Sequence, residues 1–242
     1  MSDFLAVLQK GLAELKMDFT PKQLDQCQRY LELLLDWNKR INLTAITDSR
    51  EIAVKHFLDA LAGGRYIHWH VPGDILDLGA GAGFPGLVLK IWQRERQFLL
   101  VDAVQKKVNF MALVMEKLEL EGIQALHSRA EALGRQEEHR EHYGIVVARA
   151  VAGLPVLAEY CLPLVRVGGY FYAFKGPSFQ AELAQAEEAL GILGGQVEEV
   201  YSYPLPISGD ARSLIAVKKI NPTPAPYPRR SGLPEKRPLG PR

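Results

Sequence analysis

A glycine-rich stretch directly after an apolar run is the part of the sequence most clearly suited to chemistry. Residues 77–86 read Asp-Leu-Gly-Ala-Gly-Ala-Gly-Phe-Pro-Gly. Glycines let a backbone turn sharply and approach a ligand closely. Proline is tolerated in the first turn of a helix, so a helix should begin near Pro85. The pattern predicts a ligand-binding loop between a strand and a helix.

Two ligands are compatible with this loop. Gly81 to Gly86 fit the dinucleotide pattern G-x-G-x-x-G, with Asp102 about 20 residues further on. Asp77 to Gly83 also fit D-x-G-x-G-x-G, which resembles the S-adenosylmethionine loop of class I methyltransferases. A dinucleotide needs helix amides aimed at a pyrophosphate, whereas the cationic groups of S-adenosylmethionine favour nearby carboxylates such as Asp77. Under either interpretation, Asp102 could accept hydrogen bonds from both ribose hydroxyls.

The elements that must position this loop follow an alternating pattern. Helical periodicity fills the first 60 residues or so, and Thr20-Pro21 is typical of a capped helix start. From residue 73, short apolar runs alternate with helical stretches, which predicts a parallel sheet with helices on both faces. The runs 197–203 and 213–217 leave no room for a helix between them and should pair antiparallel. This ending resembles a methyltransferase sheet, and no second half is present for the nicotinamide side of a dinucleotide.

Composition excludes several other classes of protein. Apolar residues make up 48% and charged residues 24% of the 242 residues, as in ordinary globular proteins. The two cysteines, Cys27 and Cys161, stand in apolar contexts, so we expect core positions and a reducing compartment. His68 with His70 and His139 with His142 form local pairs, but no wider ligand set accompanies either pair, and we therefore expect no metal. We also expect no membrane span and no signal peptide.

The segment after the fourth predicted strand narrows the possible methyl acceptors. Amine methyltransferases of this fold carry an Asn/Asp-Pro-Pro-aromatic motif there, but residues 149–152 read Arg-Ala-Val-Ala. Carbon methylation of a pyrimidine needs a nucleophilic cysteine, which the apolar contexts of Cys27 and Cys161 disfavour. A ring nitrogen such as N7 of guanine remains. It has a lone pair and no proton to remove, so the reaction needs orientation more than a general base.

Blocks in order along nearly the whole chain resemble the glucose-inhibited division protein B family, the ribosomal RNA small subunit methyltransferase G enzymes. Departures are small: Ala60 stands where serine is common, and Lys106-Lys107 where Lys-Arg is usual. The blocks are residues 34–44, 56–61 and 77–86, Asp102 with residues 105–108, and residues 129–131, 148–152, 174–176 and 227–232.

The resemblance implies an α/β fold, a Rossmann-like class I S-adenosylmethionine-dependent methyltransferase. Its sheet would be seven-stranded and mostly parallel, with a terminal antiparallel strand and an N-terminal helical extension. It implies a cytoplasmic enzyme that methylates N7 of one guanine in 16S ribosomal RNA, and we expect a monomer. Two alternatives are an NAD(P)-dependent oxidoreductase and a non-catalytic RNA-binding or ribosome-assembly protein that keeps a relict cofactor pocket. Arg149 would lie near the methyl group and the target base as the catalytic residue. The implied cofactor contacts are Gly79, Phe84, Asp102, Ala103, Ala130, Glu131 and Arg149.

The C-terminal residues are more basic than the rest of the chain, although the net charge of the whole chain is only +1. Residues 221–242 hold five basic residues, one acidic residue and seven prolines, which predicts an extended and poorly packed tail. We expect a helical region at 1–65, a methyltransferase domain at 66–220 and a basic tail at 221–242. The RNA substrate, free or in a small-subunit particle, would be held at its phosphates by Lys39, Arg40, Lys175, Arg229 and Arg230.

Overall fold

A seven-stranded sheet forms the centre of the protein. The computed structural model describes residues 3–149 and 151–240. Within these residues the strand order is β3-β2-β1-β4-β5-β7-β6. The strands are β1 (Ile75–Leu78), β2 (Phe98–Asp102), β3 (Ile123–His127), β4 (Tyr143–Arg149), β5 (Val165–Lys175), β6 (Gly195–Pro204) and β7 (Ala211–Lys219).

The pairing of the strands confirms the predicted fold class. Strands β1 to β5 pair parallel, and β7 runs antiparallel to both β5 and β6. The order reverses between β1 and β4, because β2 lies on one side of β1 and β4 on the other. In open α/β sheets, ligands bind outside the carboxyl ends of the strands at such a switch point. The fold therefore places Leu78, Asp102 and Arg149 along one binding edge.

Helices cover both faces of the sheet. Alternate residues of each strand enter two separate apolar clusters: Tyr170 and Tyr172 belong to one, and Phe171 and Ala173 to the other. This alternation follows from the two-residue period of a strand. The helices are α1 (Asp3–Glu14), α2 (Pro21–Asn38), α3 (Ser49–Ile52), α4 (Asp59–Gly64), α5 (Gly86–Trp92), α6 (Gln105–Lys117), α7 (Ala130–Leu133), α8 (Leu154–Cys161), α9 (Gln180–Ile192) and α10 (Leu233–Lys236).

The N-terminal helices begin and continue as their sequence indicates, with one exception. Thr20 caps α2 through a capping box with Gln23, as the Thr20-Pro21 pair predicted. Between α3 and α4 the backbone keeps helical dihedral angles but passes through a π-helical segment, Ala53–Leu58. Such segments are rare and are frequent at functional sites. The sequence pattern predicted a helix here but not its widened turn.

The C-terminal segment packs on the core, so the expectation of a poorly packed tail is wrong. Thr223 and Pro228 are buried, and the carboxylate of Glu159 accepts hydrogen bonds from both the backbone and the side chain of Arg229. The prolines stiffen this segment, but hydrogen bonds to residues distant in sequence keep it packed on the core. Among the described residues, no helix combines the length and the apolar character that crossing a membrane requires.

Candidate active site

The loop after β1 wraps over the end of β2. Gly79, Gly81 and Gly83 all have positive φ angles, of 72°, 60° and 95°, which glycine adopts without strain. The amide of Gly79 donates to the carbonyl of Val101 over 2.8 Å. The amide of Gly81 donates to Oδ2 of Asp102 over 2.9 Å. These bonds explain why the glycines and the aspartate occur together in the sequence.

A cavity of about 140 Å³ opens beside this loop, at the carboxyl ends of β1 and β2. Five of the predicted cofactor residues line it together: Gly79, Asp102, Ala103, Ala130 and Glu131. They come from the ends of two strands and from the start of α7. Tyr160, Gly232 and Glu235 also line it. None of the three was predicted as a site residue, although Gly232 ends the block 227–232.

The charges around this first cavity distinguish the two ligands that the loop pattern left open. Among its described lining residues, Asp102, Glu131 and Glu235 carry carboxylates and Arg129 carries a guanidinium. A pyrophosphate would be repelled by this acidic wall, whereas hydroxyl and amino groups would find acceptors. The residues present therefore fit S-adenosylmethionine better than a dinucleotide.

Asp77 lies beneath the loop, fully buried, and does not line the cavity. Its Oδ2 accepts a hydrogen bond from the amide of Gly86 over 2.7 Å, which ties the loop to the start of α5. Burial raises the pKa of this carboxyl group to about 7. Within the described part of the chain its Oδ1 has no hydrogen-bond partner. Because Asp77 does not line the cavity, the expected attraction between this carboxylate and a cationic ligand stays a prediction.

A second and larger cavity, of about 420 Å³, lies at the ends of β4 and β5 on the same edge of the sheet. Arg149 and Lys175, both predicted from sequence, line it. Residues from the N-terminal helical region, from the end of β5 and the residue after it, from β6 and from β7 also line it. These are Lys55, His56, Asp59, Phe174, Gly176, Tyr203 and Arg212. Arg149 therefore lies in this second cavity and not in the wall of the first.

Arg149 is fixed by several contacts. Its guanidinium donates to Oδ2 of Asp59 over 2.8 Å, and the other carboxylate oxygen of Asp59 lies 3.3 Å from Nε of Arg212. Arg149 also donates to the backbone carbonyl of Lys55 over 3.3 Å. Asp59 is only 6% exposed, so the two guanidinium groups compensate a desolvated charge. Sequence analysis missed Asp59 and Arg212 as site residues, although Asp59 lies in the block 56–61.

Phe84 packs against the N-terminal helices and is absent from the lining of the first cavity. Its ring stacks on Tyr30 with centroids 4.9 Å apart, and the Cζ atom of Arg149 lies 5.5 Å from its centroid. The hydroxyl of Tyr30 in turn donates to the loop carbonyl of Ala82. The ring links the glycine loop to the helical region, so its predicted contact with a cofactor stays a prediction.

His56 connects the aromatic cluster to the second cavity. Its ring centroid lies 4.8 Å from that of Phe84, and Nε2 lies 2.9 Å from the hydroxyl oxygen of Thr44. Burial, reinforced by the positive charge of Arg149, lowers the pKa of His56 to about 4. The imidazole is therefore neutral at physiological pH. The motif block 56–61 contained this residue, but its role was visible only in the folded structure.

The five residues predicted to bind phosphates are not brought together. Lys39 and Arg40 are exposed at the end of α2, close to Asp36. Lys175 is paired over 2.7 Å with Glu182 and donates to the carbonyl of Ala152. Arg230 is exposed. Arg229 forms an ion pair with Glu159, so its guanidinium already has an intramolecular partner.

The cysteines lie in the core, as predicted. Both are fully buried, and burial raises the pKa of each thiol, which keeps the sulfur protonated and poorly nucleophilic. Among the residues that the structure describes, no cluster of three or more histidine, cysteine or acidic side chains is arranged to hold a metal ion.

Comparison with known proteins shows the family. The model of the family described as GidB, rRNA small subunit methyltransferase G, matches residues 23–207. The chain belongs to this GidB family. It is 46% identical over 239 residues to "Ribosomal RNA small subunit methyltransferase G" of Pelotomaculum thermopropionicum, covering 99% of this chain and 100% of the relative. The relative of the same name from Desulforamulus reducens is 42% identical over the same shares.

Solved structures support the fold. The chain is similar to geranyl diphosphate C-methyltransferase from Streptomyces coelicolor A3(2), with a TM-score of 0.53 and 12% identity over 83% of this chain and 99% of that one. The likeness to TrmN from Thermus thermophilus has a TM-score of 0.51 and 18% identity over 66% of this chain and 48% of that one. The two cavities of this GidB family member therefore lie at the ligand-binding edge of a methyltransferase fold.

Proposed function

We propose that this protein transfers a methyl group from S-adenosylmethionine to N7 of one guanine in 16S ribosomal RNA. One structural observation carries the proposal: an acidic cavity that holds Gly79, Asp102 and Glu131 opens on the same sheet edge as the cavity that holds Arg149. Family membership supports the ribosomal RNA substrate. The adjacent cavities provide separate places for a donor and an acceptor.

The first cavity would hold the methyl donor. Bound S-adenosylmethionine supplies a methyl group made electrophilic by a positively charged sulfur. Gly79 allows the backbone to approach the ligand, while Ala130 and Glu131 would flank the adenine. Each oxygen of Asp102 accepts one backbone hydrogen bond, from Gly81 and Val104, and still has a lone pair free. Asp102 can therefore accept from ribose hydroxyls while it keeps the loop in place.

The second cavity would receive the guanine. Because N7 has no proton to lose, this side of the site needs to orient the base rather than to deprotonate it. The neutral state of His56 is consistent with this requirement, since a low pKa makes it a weak base. Methylation leaves the purine ring cationic. The carboxylate of Asp59 lies among the guanidinium groups of Arg149 and Arg212 and would offset their repulsion of the product.

The target base would have to leave its stack in the RNA to enter the second cavity. Proteins that act on RNA bases commonly splay the base out and stack it on an aromatic ring or a guanidinium plane. Phe174 and Tyr203 line the second cavity. Trp37 and Phe84 are absent from its lining and pack on Phe110 and Tyr30. The positions of Phe174 and Tyr203 favour them for contact with the base.

Basic side chains near the second cavity would bind the flanking phosphates. Lys55 and Arg212 line it, and Lys39, Arg40 and Arg230 are exposed elsewhere on the surface. RNA affinity from such contacts falls as salt rises. We further propose that the protein acts in the cytoplasm as a monomer. Residues 1–65 would complete the acceptor side, 66–220 would bind the donor, and 221–242 would contribute to both.

The test is a transfer assay with purified protein. The protein is incubated with S-adenosylmethionine that carries a labelled methyl group and with 16S ribosomal RNA, free or in small subunits, from cells that lack the gene. Digestion to nucleosides should place the label in 7-methylguanosine. Label in another nucleoside would contradict the proposed acceptor. Binding of a nicotinamide dinucleotide without binding of S-adenosylhomocysteine would contradict the proposed donor.

A further inference from the structure

The segment 223–236, which we call the C-terminal strap, is held on the core by side chains from earlier in the chain. Arg140 donates to the backbone carbonyls of Thr223 and Tyr227, each over 2.7 Å. The carboxylate of Glu141 accepts from the amide of Thr223 over 2.6 Å. Polar backbone groups of the strap thus have partners on the core, which is the requirement for stable packing of an irregular segment.

A buried ion pair fixes the middle of the strap. Glu159 on α8 is fully buried, and its carboxylate accepts from the amide of Arg229 over 2.8 Å and from Nη2 of Arg229 over 2.6 Å. The Nε of Arg229 also lies within 3.0 Å of both carboxylate oxygens. A buried carboxylate without this partner would be costly, so the ion pair strongly favours one position of the strap.

The strap then reaches the first cavity. Gly232 has a φ of 78° and donates its amide to Oε1 of Glu131 over 2.8 Å. Gly232 and Glu235 both line that cavity, as Asp102 and Ala103 do. Burial and the nearby carboxylates of Glu131 and Glu235 raise the pKa of Tyr160, another residue of the wall. The ion pair at Arg229 therefore positions two residues of the strap at the cavity where the donor would bind.

We propose that Gly232 and Glu235 are part of the S-adenosylmethionine site, an inference that rests on the proposed function. Gly232 is a positioning residue, because its amide orients the carboxylate of Glu131. Glu235 is a binding residue whose carboxylate accepts from a hydroxyl or amino group on the adenosine half. Together with Asp102 and Glu131 it makes the wall acidic and disfavours phosphorylated adenosine ligands. The C-terminal strap thus serves the donor and not only the RNA.

The first experiment measures protection of the strap in the wild-type protein. Trypsin can cleave after Arg230 and after Lys236, and an exposed control site follows Lys39. Saturating S-adenosylhomocysteine should slow cleavage at the two strap sites by about tenfold or more, because a bound ligand reduces opening of the structure it contacts. Cleavage after Lys39 should not change. Equal rates at the strap sites with and without bound ligand would overturn the inference.

The second experiment measures ligand affinity of two full-length variants by calorimetry. Glu235→Lys should weaken S-adenosylhomocysteine binding by about tenfold or more, and Glu235→Gln by less, because loss of an acceptor is milder than charge reversal. Glu137→Lys, an exposed acid outside the lining of either cavity, is the matched control and should bind as the wild type does. Adenosine monophosphate should gain affinity in Glu235→Lys relative to the wild type.

The outcomes separate this inference from the proposed function. If the wild type binds S-adenosylhomocysteine and Glu235→Lys binds it equally well, Glu235 is not in the site and the proposed function stands. If the wild type is folded by its melting curve but shows no heat of binding with S-adenosylhomocysteine, the proposed donor is wrong. The proposed role of the strap is then wrong as well. Circular dichroism of each variant checks that altered affinity does not reflect unfolding.

Discussion

Arg149, the last residue of β4, donates a hydrogen bond over 2.8 Å to Asp59, the first residue of α4. This ion pair joins the end of a sheet strand to the N-terminal helices. The same carboxylate pairs with Arg212 of β7. Three segments far apart in sequence therefore meet in the second cavity, and the N-terminal helices are a structural part of the acceptor side.

The Arg149→Met variant should separate methyl transfer from donor binding. Arg149 lines the cavity proposed for the guanine, where it would help to orient the base. We therefore expect the rate of transfer to fall by about 100-fold or more while S-adenosylhomocysteine still binds within about threefold of wild type. Calorimetry and the labelled-methyl assay measure the two quantities. Arg29→Met, at an exposed ion pair on α2, is the control and should leave both unchanged. Full transfer activity in Arg149→Met would contradict the role assigned to Arg149.

The same variant should change the titration of His56. The positive charge of Arg149 is the second cause, after burial, of the low pKa of His56. Removing that charge should therefore raise the pKa from about 4 toward the usual value without reaching it. The imidazole resonances of His56, followed by NMR against pH, report this directly. An unchanged titration would mean that the guanidinium does not lie as close to the ring as the structure places it.

Asp77 should make the stability of the ligand-free protein depend on pH. Its folded-state pKa of about 7 lies above the model-peptide value of 3.8. The folded state therefore binds a proton at Asp77 more tightly than the unfolded state does. The stability that this proton contributes is fully present below about pH 4. It is lost as pH rises through about 7, by on the order of a few kcal/mol. Asp77→Asn should not show this loss. Its free energy of unfolding, measured with denaturant between pH 5 and 8, should therefore vary less with pH than that of the wild type.

Gly79→Ala should weaken donor binding more than it weakens the fold. The new Cβ would lie 2.5 Å from Cγ2 of Val151 beside the first cavity, and the φ of 72° strains any residue except glycine. Gly168→Ala is a matched control, since its φ is 83° and its Cβ would meet no atom within 4 Å. Each should lose about 1 kcal/mol of unfolding free energy. Only Gly79→Ala should lose affinity for S-adenosylhomocysteine, by about tenfold or more.

Arg229 and its neighbour Arg230 should differ in what they stabilise. Arg229→Met leaves the fully buried Glu159 without its cation, so we expect a loss of about 3–5 kcal/mol in unfolding free energy. Arg230→Met, at an exposed position, should change stability by less than about 0.5 kcal/mol. If Arg230 binds a phosphate, its variant should bind RNA more weakly and with a smaller salt dependence. Equal stability of the two variants would contradict the buried ion pair.

The donor side could be predicted from sequence because its determinants are local. Gly79, Gly81 and Asp102 follow strands directly, and positive φ angles and strand ends leave a recognisable pattern of residue types. The family blocks added Ala130 and Glu131, which the structure places in the same cavity.

The acceptor side and the strap depend on long-range pairing that no local pattern reveals. Asp59 faces Arg149 and Arg212 only after the helices pack on the sheet. Prolines near Arg229 indicated a loose tail, but burial of Glu159 on α8 outweighs that tendency. The sequence located Arg149 and Lys175 correctly at strand ends, and it could not show that each already has an acidic partner.

The most direct test of the central claim compares 16S ribosomal RNA from cells with and without the gene. Chemical cleavage at 7-methylguanosine, read by primer extension, maps every such nucleotide. If the proposed function is correct, one N7-methylated guanine disappears without the gene and returns with the wild-type gene but not with Arg149→Met. An unchanged set of N7-methylated guanines in the two RNAs would contradict it.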